Sequence, residues 1–420
     1  MGRETVRIAE KNEIVSDLDG LNMVRETETL SKRRVACDFL LSFIGVALMH
    51  AVLQFWFYPQ MNRVYGPIVL GKILFLISFV SVFVMAFGMA LDNSRLVTRH
   101  RFRTLNGDFN WILCFLSLIS VGICLPIAWY VFPEINLWKC ALWVTLTLAR
   151  FYSAVEFRLK INCVGYFVYY ALLAFGYGIG AWRLFYGMDW VSAFCLGEAF
   201  ALALVVACGK IYRPPFWKTK NFRRTFRSVA ILSGAGILNQ GGQNLDRILL
   251  PAMVGALANT QFYVVSLLGK ILSMFVTPLN SVLISYLTRD SKPLRRQYFV
   301  WITVVVLILT ALFWGACYWA TPVFLRIFYP KLYDDVLDLI AIATLGQVLG
   351  FASTLVMTII LTVTRESWQL RLQIVYAVIF GVMVFPMTFL WRLWGFALAI
   401  LIANLVRFFL AILLGFAKTK

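Results

Sequence analysis

The segment YFVWITVVVLILTALFWGACYWA, residues 298–320, contains no charged side chain. At a rise of about 1.5 Å per residue, a helix of this length crosses a hydrocarbon core of about 30 Å. Comparable runs recur from Asp38 to the C-terminus, and the chain is 61% hydrophobic and only 14% charged. The alternation expected of outer-membrane barrel strands is absent from these runs. The sequence therefore predicts an all-α polytopic membrane protein.

We predict twelve transmembrane helices, named spans one to twelve in chain order. Their ranges are 38–58, 66–90, 109–131, 137–156, 161–183, 190–209, 228–255, 260–287, 298–320, 336–362, 370–390 and 394–416. The longest strongly basic loop follows span six and divides the spans into two groups of six. We therefore expect a polar, disordered cytoplasmic tail (1–35), an N-terminal six-helix lobe (36–209), a basic cytoplasmic linker (210–227) and a C-terminal six-helix lobe (228–420).

Two short stretches indicate that the lobes are repeats of each other. YGPIVLGKIL (65–74) and YVVSLLGKIL (263–272) share Tyr, Leu, Gly, Lys, Ile and Leu in one register. They lie in spans two and eight, which are equivalent positions in the two halves. Because each half has an even number of spans, the lobes are predicted to be parallel repeats about an axis along the membrane normal. Alternatively, the motif only packs helices, with Lys72 and Lys270 reaching an interface.

The distribution of basic residues predicts the orientation. With a cytoplasmic N-terminus, the inside segments from Lys32 onward hold 24 Lys and Arg and the outside loops hold 6. This bias predicts a multi-pass protein of the plasma (inner) membrane with both termini cytoplasmic. The formal net charge of +19 is then mostly a topology signal. We expect no nucleic-acid partner, because no aromatic-studded soluble basic surface is available.

Span seven is the most polar of the predicted spans, with the sequence ILNQGGQNLDRILLP at residues 237–251. Six hydrogen-bonding side chains form two adjoining stripes at helical spacing: Asn239, Gln243 and Asp246, and Gln240, Asn244 and Arg247. A charge facing lipid at the bilayer centre costs at least about 2.5–3.5 kcal/mol, so this face must meet protein or water. Asp246 and Lys270 have similar predicted depths and can pair. The face is either a structural ion pair or the wall of a substrate cavity.

Other spans contribute further candidates for a substrate cavity. Gln54 lies in span one, Lys72 in span two and Arg150 in span four. Arg150 is expected either to receive an anion from the cytoplasmic side or to snorkel towards the interface. Glu198 in span six and Arg407 in span twelve are expected to be either packed and paired or in contact with substrate.

One local feature concerns the end of span one. Pro59 is predicted to end this span, which places Asn62 and Arg63 in an outer turn.

Gly241 and Gly242 are expected to loosen span seven, which is then able to bend there.

Enzymatic motifs are lacking. The chain has two histidines, His50 and His100, and neither has a partner at metal-ligand spacing. There is no Walker A sequence, nucleophile elbow or paired-carboxylate motif. We therefore expect no enzyme activity, no cofactor and no metal. A membrane glycosyltransferase, polymerase or ligase is the enzymatic alternative, but the longest predicted outer loop, about 321–335, is short for one.

Several tracts resemble the O-antigen and exopolysaccharide flippases of the multidrug/oligosaccharidyl-lipid/polysaccharide exporter (MOP) superfamily. FYPQMNRVYG (57–66) resembles their first helical hairpin, and EFRLKINCVGYFVYYALL (156–173) resembles their turn between helices four and five. Residues 237–271 with PLNSVLISYLTR (278–289) resemble helices seven and eight. The strongest match is Asp246-Arg247, followed by Tyr263. The resemblance covers about residues 38–416.

This resemblance implies translocation of a polyprenyl-diphosphate-linked oligosaccharide to the outer leaflet by alternating access. An ion gradient, of H⁺ or Na⁺, or the membrane potential would drive it, with Asp246 as the candidate coupling residue. Cations are expected to face the diphosphate and amides to replace the hydration of the sugars: Lys72, Arg150, Arg247 and Lys270, and Asn239, Gln243 and Asn244.

The expected partners are this lipid-linked substrate, membrane lipids and other glycan-assembly membrane proteins. A cationic-drug exporter and a peptidoglycan-precursor flippase of the same superfamily are the alternative transporters. A cationic-drug exporter is expected to have an acidic cavity, whereas the candidate residues here are mostly basic.

Overall fold

The structure, a computed structural model, describes residues 32–98, 104–160, 162–274, 296–361 and 367–418. The described chain is helical except for short connections. Most of the predicted cytoplasmic tail lies outside the described residues. Seven of the described helices are long and apolar enough to cross a membrane, and the longest two, Leu40–Thr98 and Arg371–Ala417, each cover two predicted spans. The predicted all-α, multi-pass membrane fold is confirmed.

A helix lies at each predicted span. Lys32–Val52, the π-helical turn Leu53–Phe57 and the start of Tyr58–Thr98 form span one, and the remainder of Tyr58–Thr98 forms span two. Spans three to nine are Asn106–Val131, Leu137–Ser153 with Val155–Leu159, Cys163–Leu184, Trp190–Cys208, Phe222–Met253, Ala256–Met274 and Arg296–Phe328. Short helices at Pro330–Leu332, Tyr333–Val336 and Leu337–Leu339 precede span ten, Ile340–Leu361, and Ser367–Lys418 contains spans eleven and twelve.

The turn between spans one and two lies at Gly66, not at Pro59. Gly66 has φ 80° and ψ 168°, a backbone conformation that favours glycine. The prediction that Pro59 ends span one is wrong, because Asn62 and Arg63 are still helical. The π-helical turn directly before Pro59 supplies the physical reason. Its wider spacing accommodates a residue that lacks an N–H and whose ring would clash with the preceding turn.

The basic linker is folded onto the start of span three. The side-chain amide of Asn106 donates to the backbone carbonyls of Lys210 and Arg213, both at 2.8 Å. Asp108 accepts from the backbone N–H and the hydroxyl of Thr219, at 2.7 and 2.8 Å. The linker is therefore part of the surface of the N-terminal lobe. The helix of span seven starts at the end of this docked segment, earlier than predicted.

The two lobes touch where spans two and eight cross. A Cβ atom added to Gly71 would lie 1.8 Å from the carbonyl oxygen of Ala256. Asn259 donates from its amide to the carbonyl of Gly71 at 2.9 Å, and Thr260 donates from its hydroxyl to the carbonyl of Pro67 at 2.7 Å. These contacts bring two backbones together at the end of the spans that is predicted to be outermost.

The two copies of LGKIL have different surroundings. Gly71 lies against span eight, whereas Gly269 lies against the side chain of Gln347 in span ten. Lys72 is exposed, whereas Lys270 forms an ion pair with Asp246. The parallel-repeat interpretation stays a prediction, and the two lysines of the motif do not share one role.

Replacement of Gly71 by alanine should destabilise the packed state by about 1–3 kcal/mol, because the added methyl collides with backbone. Gly122→Ala is the matched control, since Gly122 lies in a helix with no atom within 4 Å of an added Cβ. Thermal unfolding in detergent, followed by size-exclusion chromatography, measures both. Equal melting temperatures for the two variants would contradict the close contact between the lobes.

Candidate functional site

An ion pair between spans seven and eight forms the centre of the candidate site. The Nζ of Lys270 donates to Oδ2 of Asp246, as the matching depths of the two residues predict. The side chains are 23% and 11% exposed, respectively. In a low-dielectric region each charge strongly stabilises the other, and removal of one leaves the other uncompensated.

Arg247 connects this pair to the N-terminal lobe. Its guanidinium carbon lies 4.9 Å from the centroid of the Tyr263 ring. The Tyr263 hydroxyl donates to the side-chain carbonyl of Gln54 in span one, and its ring packs edge-on against Tyr58 with centroids 5.8 Å apart. The Nε of Arg247 is buried and has no hydrogen-bond partner among the described residues. The guanidinium therefore retains donor capacity for another molecule.

A second guanidinium, that of Arg407 in span twelve, packs against span eleven. Arg407 lies over the ring of Tyr376 at 5.4 Å, and its Nη2 is 3.5 Å from the hydroxyl of Thr354. The charge of Asp246 also acts on Tyr376, whereas the charge of Arg407 acts on Tyr376 alone among these groups. In the described part of the chain, the Nε of Arg407 is likewise buried without a partner. Tyr376 was not predicted, because one tyrosine in an apolar span gives no distinguishing signal.

The charge of this region is positive. Two cations, Arg247 and Lys270, lie beside one carboxylate, Asp246, and a third, Arg407, lies over the ring of Tyr376. Within the described ranges, neither arginine forms an ion pair with a carboxylate. The arrangement can hold an anion between guanidinium and ammonium groups, which donate several charge-assisted hydrogen bonds.

Arg150 is accounted for within the N-terminal lobe. Its Nε donates to Oε2 of Glu198 at 2.8 Å, and both residues are buried, with 7% and 1% exposure. The other carboxylate oxygen of Glu198 accepts from the hydroxyl of Tyr177 at 2.7 Å. The hydroxyl of Tyr169 donates to the Arg150 carbonyl at 2.7 Å. Arg150 therefore neither snorkels towards the interface nor lies open at the cytoplasmic mouth. Glu198 balances its charge. Glu198 is thus packed and paired, which is one of the two outcomes expected for Glu198.

His50 is influenced by charges of both groups. It is within electrostatic range of both Arg150 and Arg247, and its Nδ1 is buried with no hydrogen-bond partner in the described chain. From the sequence, His50 was considered only as a metal ligand, and it has no partner at metal-ligand spacing. Its position beside two arginines depends on the packing of spans one, four and seven, which the sequence does not give.

The amides of span seven divide between an exposed and a buried side. Asn239 and Gln243 are exposed, with the amide nitrogen of Gln243 3.5 Å from the side-chain oxygen of Asn239. Gln240 is buried, and Asn244 donates to its backbone carbonyl at 2.9 Å. Through Gly241 and Gly242 the helix continues without interruption. Lys72 is exposed and forms no hydrogen bond or ion pair with the described residues, so nothing joins it to this cluster.

Solved structures with a similar fold are transporters. The inward-facing form of a multidrug resistance MATE family transporter of the MOP superfamily matches with a TM-score of 0.67 and 11% identity, over 88% of this chain and 97% of that chain. An outward-facing structure with the same description gives 0.61 and 13%, over 90% and 94%. A mutant of a Vibrio cholerae MATE transporter gives 0.60 and 10%, over 91% and 95%.

These likenesses concern the fold alone. The sequences are too different for the substrate of a MATE transporter to be assigned to this protein. No protein-family model matches the sequence, and no curated protein matches it. The fold resembles that of MATE family transporters of the MOP superfamily. The narrower resemblance to polysaccharide flippases stays a prediction.

Glu198→Leu should destabilise the protein by about 3–5 kcal/mol, because it leaves the buried Arg150 unpaired. The double variant Arg150→Met with Glu198→Leu should recover most of this loss, since it removes both charges and retains volume. Melting temperatures of the wild type, both single variants and the double variant in detergent complete the cycle. Additive losses in the double variant would show that the two side chains do not act as a pair.

Proposed function

We propose that this protein is an alternating-access transporter that moves polyprenyl-diphosphate-linked oligosaccharide from the cytoplasmic to the outer leaflet of the plasma membrane. The fold supports the transport part, because it is shared with MATE transporters solved in inward- and outward-facing forms. The polar cluster also supports transport, because it includes residues of both predicted lobes. Gln54 of the N-terminal lobe and Tyr263 of the C-terminal lobe are joined by a hydrogen bond. A site between two lobes is accessible from either side in turn when the lobes rock.

The observation that carries the proposed substrate is the excess of cations. Arg247 and Lys270 outnumber the single carboxylate of Asp246, and Arg407, over Tyr376, forms no ion pair within the described ranges. A diphosphate carries negative charge into a low-dielectric region, which is costly unless cations meet it there. Guanidinium groups match phosphate oxygens with paired donors. The exposed amides of Asn239 and Gln243 are placed to replace the hydration of the attached sugars.

Export of cationic drugs is the second candidate, since multidrug transporters have the same fold. The charges oppose it. A cationic compound entering beside Arg247 and Arg407 would meet like charges in a poorly screened environment, which costs several kcal/mol. A peptidoglycan precursor also carries a diphosphate, so charge alone does not distinguish it from other lipid-linked glycans.

Asp246 and Lys270 provide the proposed coupling between ion and substrate. While Asp246 is ionised, it occupies the ammonium of Lys270. Binding of a proton or Na⁺ at the carboxylate would weaken that pair and make Lys270 available to the diphosphate. Release of the ion would restore the pair and displace the anion. The coupling thus arises from competition between two anions for one ammonium group.

The contacts between the lobes define what must change during transport. The bonds from Asn259 and Thr260 to span two, and from Tyr263 to Gln54, all join the lobes on the predicted outer side. We infer that the arrangement described is closed on that side. Opening to the outer leaflet requires these bonds to break and the backbones at Gly71 and Ala256 to separate.

Arg247→Ala and Lys270→Ala should each reduce glycan translocation at least tenfold at normal protein levels, because each removes a charge-assisted contact to the diphosphate. Arg183→Ala is the matched control, since Arg183 is an exposed arginine at the end of span five, away from the cluster. The assay uses cells that lack the gene and carry each variant, and it measures lipid-linked glycan in each leaflet.

Intermediates that accumulate on the cytoplasmic side, and that the wild type and Arg183→Ala clear, would support a flippase with its site at the cluster. Intermediates that reach the outer leaflet without polymerisation or ligation would instead indicate an enzyme. Normal translocation by both Arg247→Ala and Lys270→Ala would remove these residues from the substrate path.

A further inference from the structure

A second charged cavity lies on the predicted cytoplasmic side of the N-terminal lobe, away from the cluster between the lobes. Its volume is about 300 Å³, at the lower end of the range for small-ligand sites. The walls come from four segments that are distant in sequence: the end of span two, the residues before span three, the short helix that follows span four, and the start of the linker. The polar and charged lining residues are Arg95, Thr104, Glu156, Lys160 and Lys210.

The cavity has a fixed frame. The Arg95 guanidinium donates to the hydroxyl of Tyr152 and to the side-chain oxygen of Asn106. Asn106 in turn holds the backbone carbonyls of Lys210 and Arg213. The guanidinium also lies 5.0 Å from the centroid of the Phe109 ring. One hydrogen-bonded chain thus joins span two, span three, span four and the linker, so the walls are positioned before any ligand arrives.

The charges of the frame are not balanced. Lys160 pairs with Glu156, which accounts for the one carboxylate that lines the cavity. Arg95 is half-buried and bonds only to neutral groups, and no ion pair joins it to a carboxylate among the described residues. Lys210 is exposed and likewise forms no ion pair in the described part of the chain. Two cationic groups from separate segments therefore face one cavity, and among the described residues neither forms an ion pair with Glu156, which is paired with Lys160.

We propose that this cavity binds a phosphate group. Arg95 uses one N–H each on Tyr152 and Asn106, and its remaining N–H groups are donors for phosphate oxygens, while Lys210 supplies an ammonium from the linker. The hydroxyl of Thr104, which also lines the cavity, adds a neutral donor. The position at the predicted inner end of the spans makes two sources accessible, the headgroup of an anionic lipid in the cytoplasmic leaflet and free phosphate or pyrophosphate. This proposal does not depend on the transported substrate, because it uses none of the residues of the central cluster.

The binding test uses purified full-length protein and two classes of probe. Pyrophosphate is titrated in detergent, and phosphatidic acid is compared with phosphatidylcholine in lipid nanodiscs, with native mass spectrometry counting retained molecules. Lys210→Gln carries the test, because the exposed Lys210 side chain forms no ion pair in the described chain and the backbone carbonyl that accepts from Asn106 is retained. Lys220→Gln is the matched control, since it removes the same charge from the same linker outside the cavity.

The wild type and Lys220→Gln should bind the phosphate-bearing probe alike, and Lys210→Gln should bind it about tenfold more weakly at an unchanged melting temperature. Retention of phosphatidic acid over pyrophosphate would assign the site to a lipid headgroup, and the reverse to a free phosphate. Equal binding by Lys210→Gln and Lys220→Gln, or no preference for either phosphate probe over phosphatidylcholine, would overturn the proposal.

Discussion

Hydrocarbon does not solvate charge, and the central part of this structure depends on that constraint. Asp246 lies in a predicted membrane span and is stabilised there by Lys270 from the adjacent helix. The remaining positive charge of Arg247 lies against the face of Tyr263, which reaches across to Gln54 in the other predicted lobe. The same interactions that make span seven compatible with a bilayer therefore bring the two lobes together.

Span seven, which is assigned to the C-terminal lobe, contacts both predicted lobes. Near its start, Ser228 accepts a hydrogen bond from Ser94 of span two at 3.2 Å, and a Cβ on Gly236 would lie 3.1 Å from Ala86. Towards its end, Asp246 is fixed by span eight instead. The linker before it is bonded to span three, so the start of the helix follows the N-terminal lobe. The polar cluster therefore lies on the helix that contacts both predicted lobes.

Much of the fold was predictable because length and hydropathy determine which segments span a bilayer. The twelve spans and the Asp246–Lys270 pair follow from counts of residues along the chain. Contacts between distant spans did not follow. Arg150 meets Glu198 only because spans four and six pack together, and the docking of the linker depends on hydrogen bonds to Asn106. The role of Pro59 was missed because a π-helical turn has no simple sequence signal.

The proposed class of substrate depends on the charge balance of the central cluster, and direct binding tests this proposal most sharply. Purified protein in nanodiscs is titrated with a short-chain polyprenyl diphosphate and, separately, with tetraphenylphosphonium, a lipophilic cation. The account predicts saturable binding of the diphosphate, weakened at least tenfold by Arg247→Ala, and no saturable binding of the cation. Saturable binding of the cation with no binding of the diphosphate would contradict the account and assign the protein to the exporters of cationic compounds.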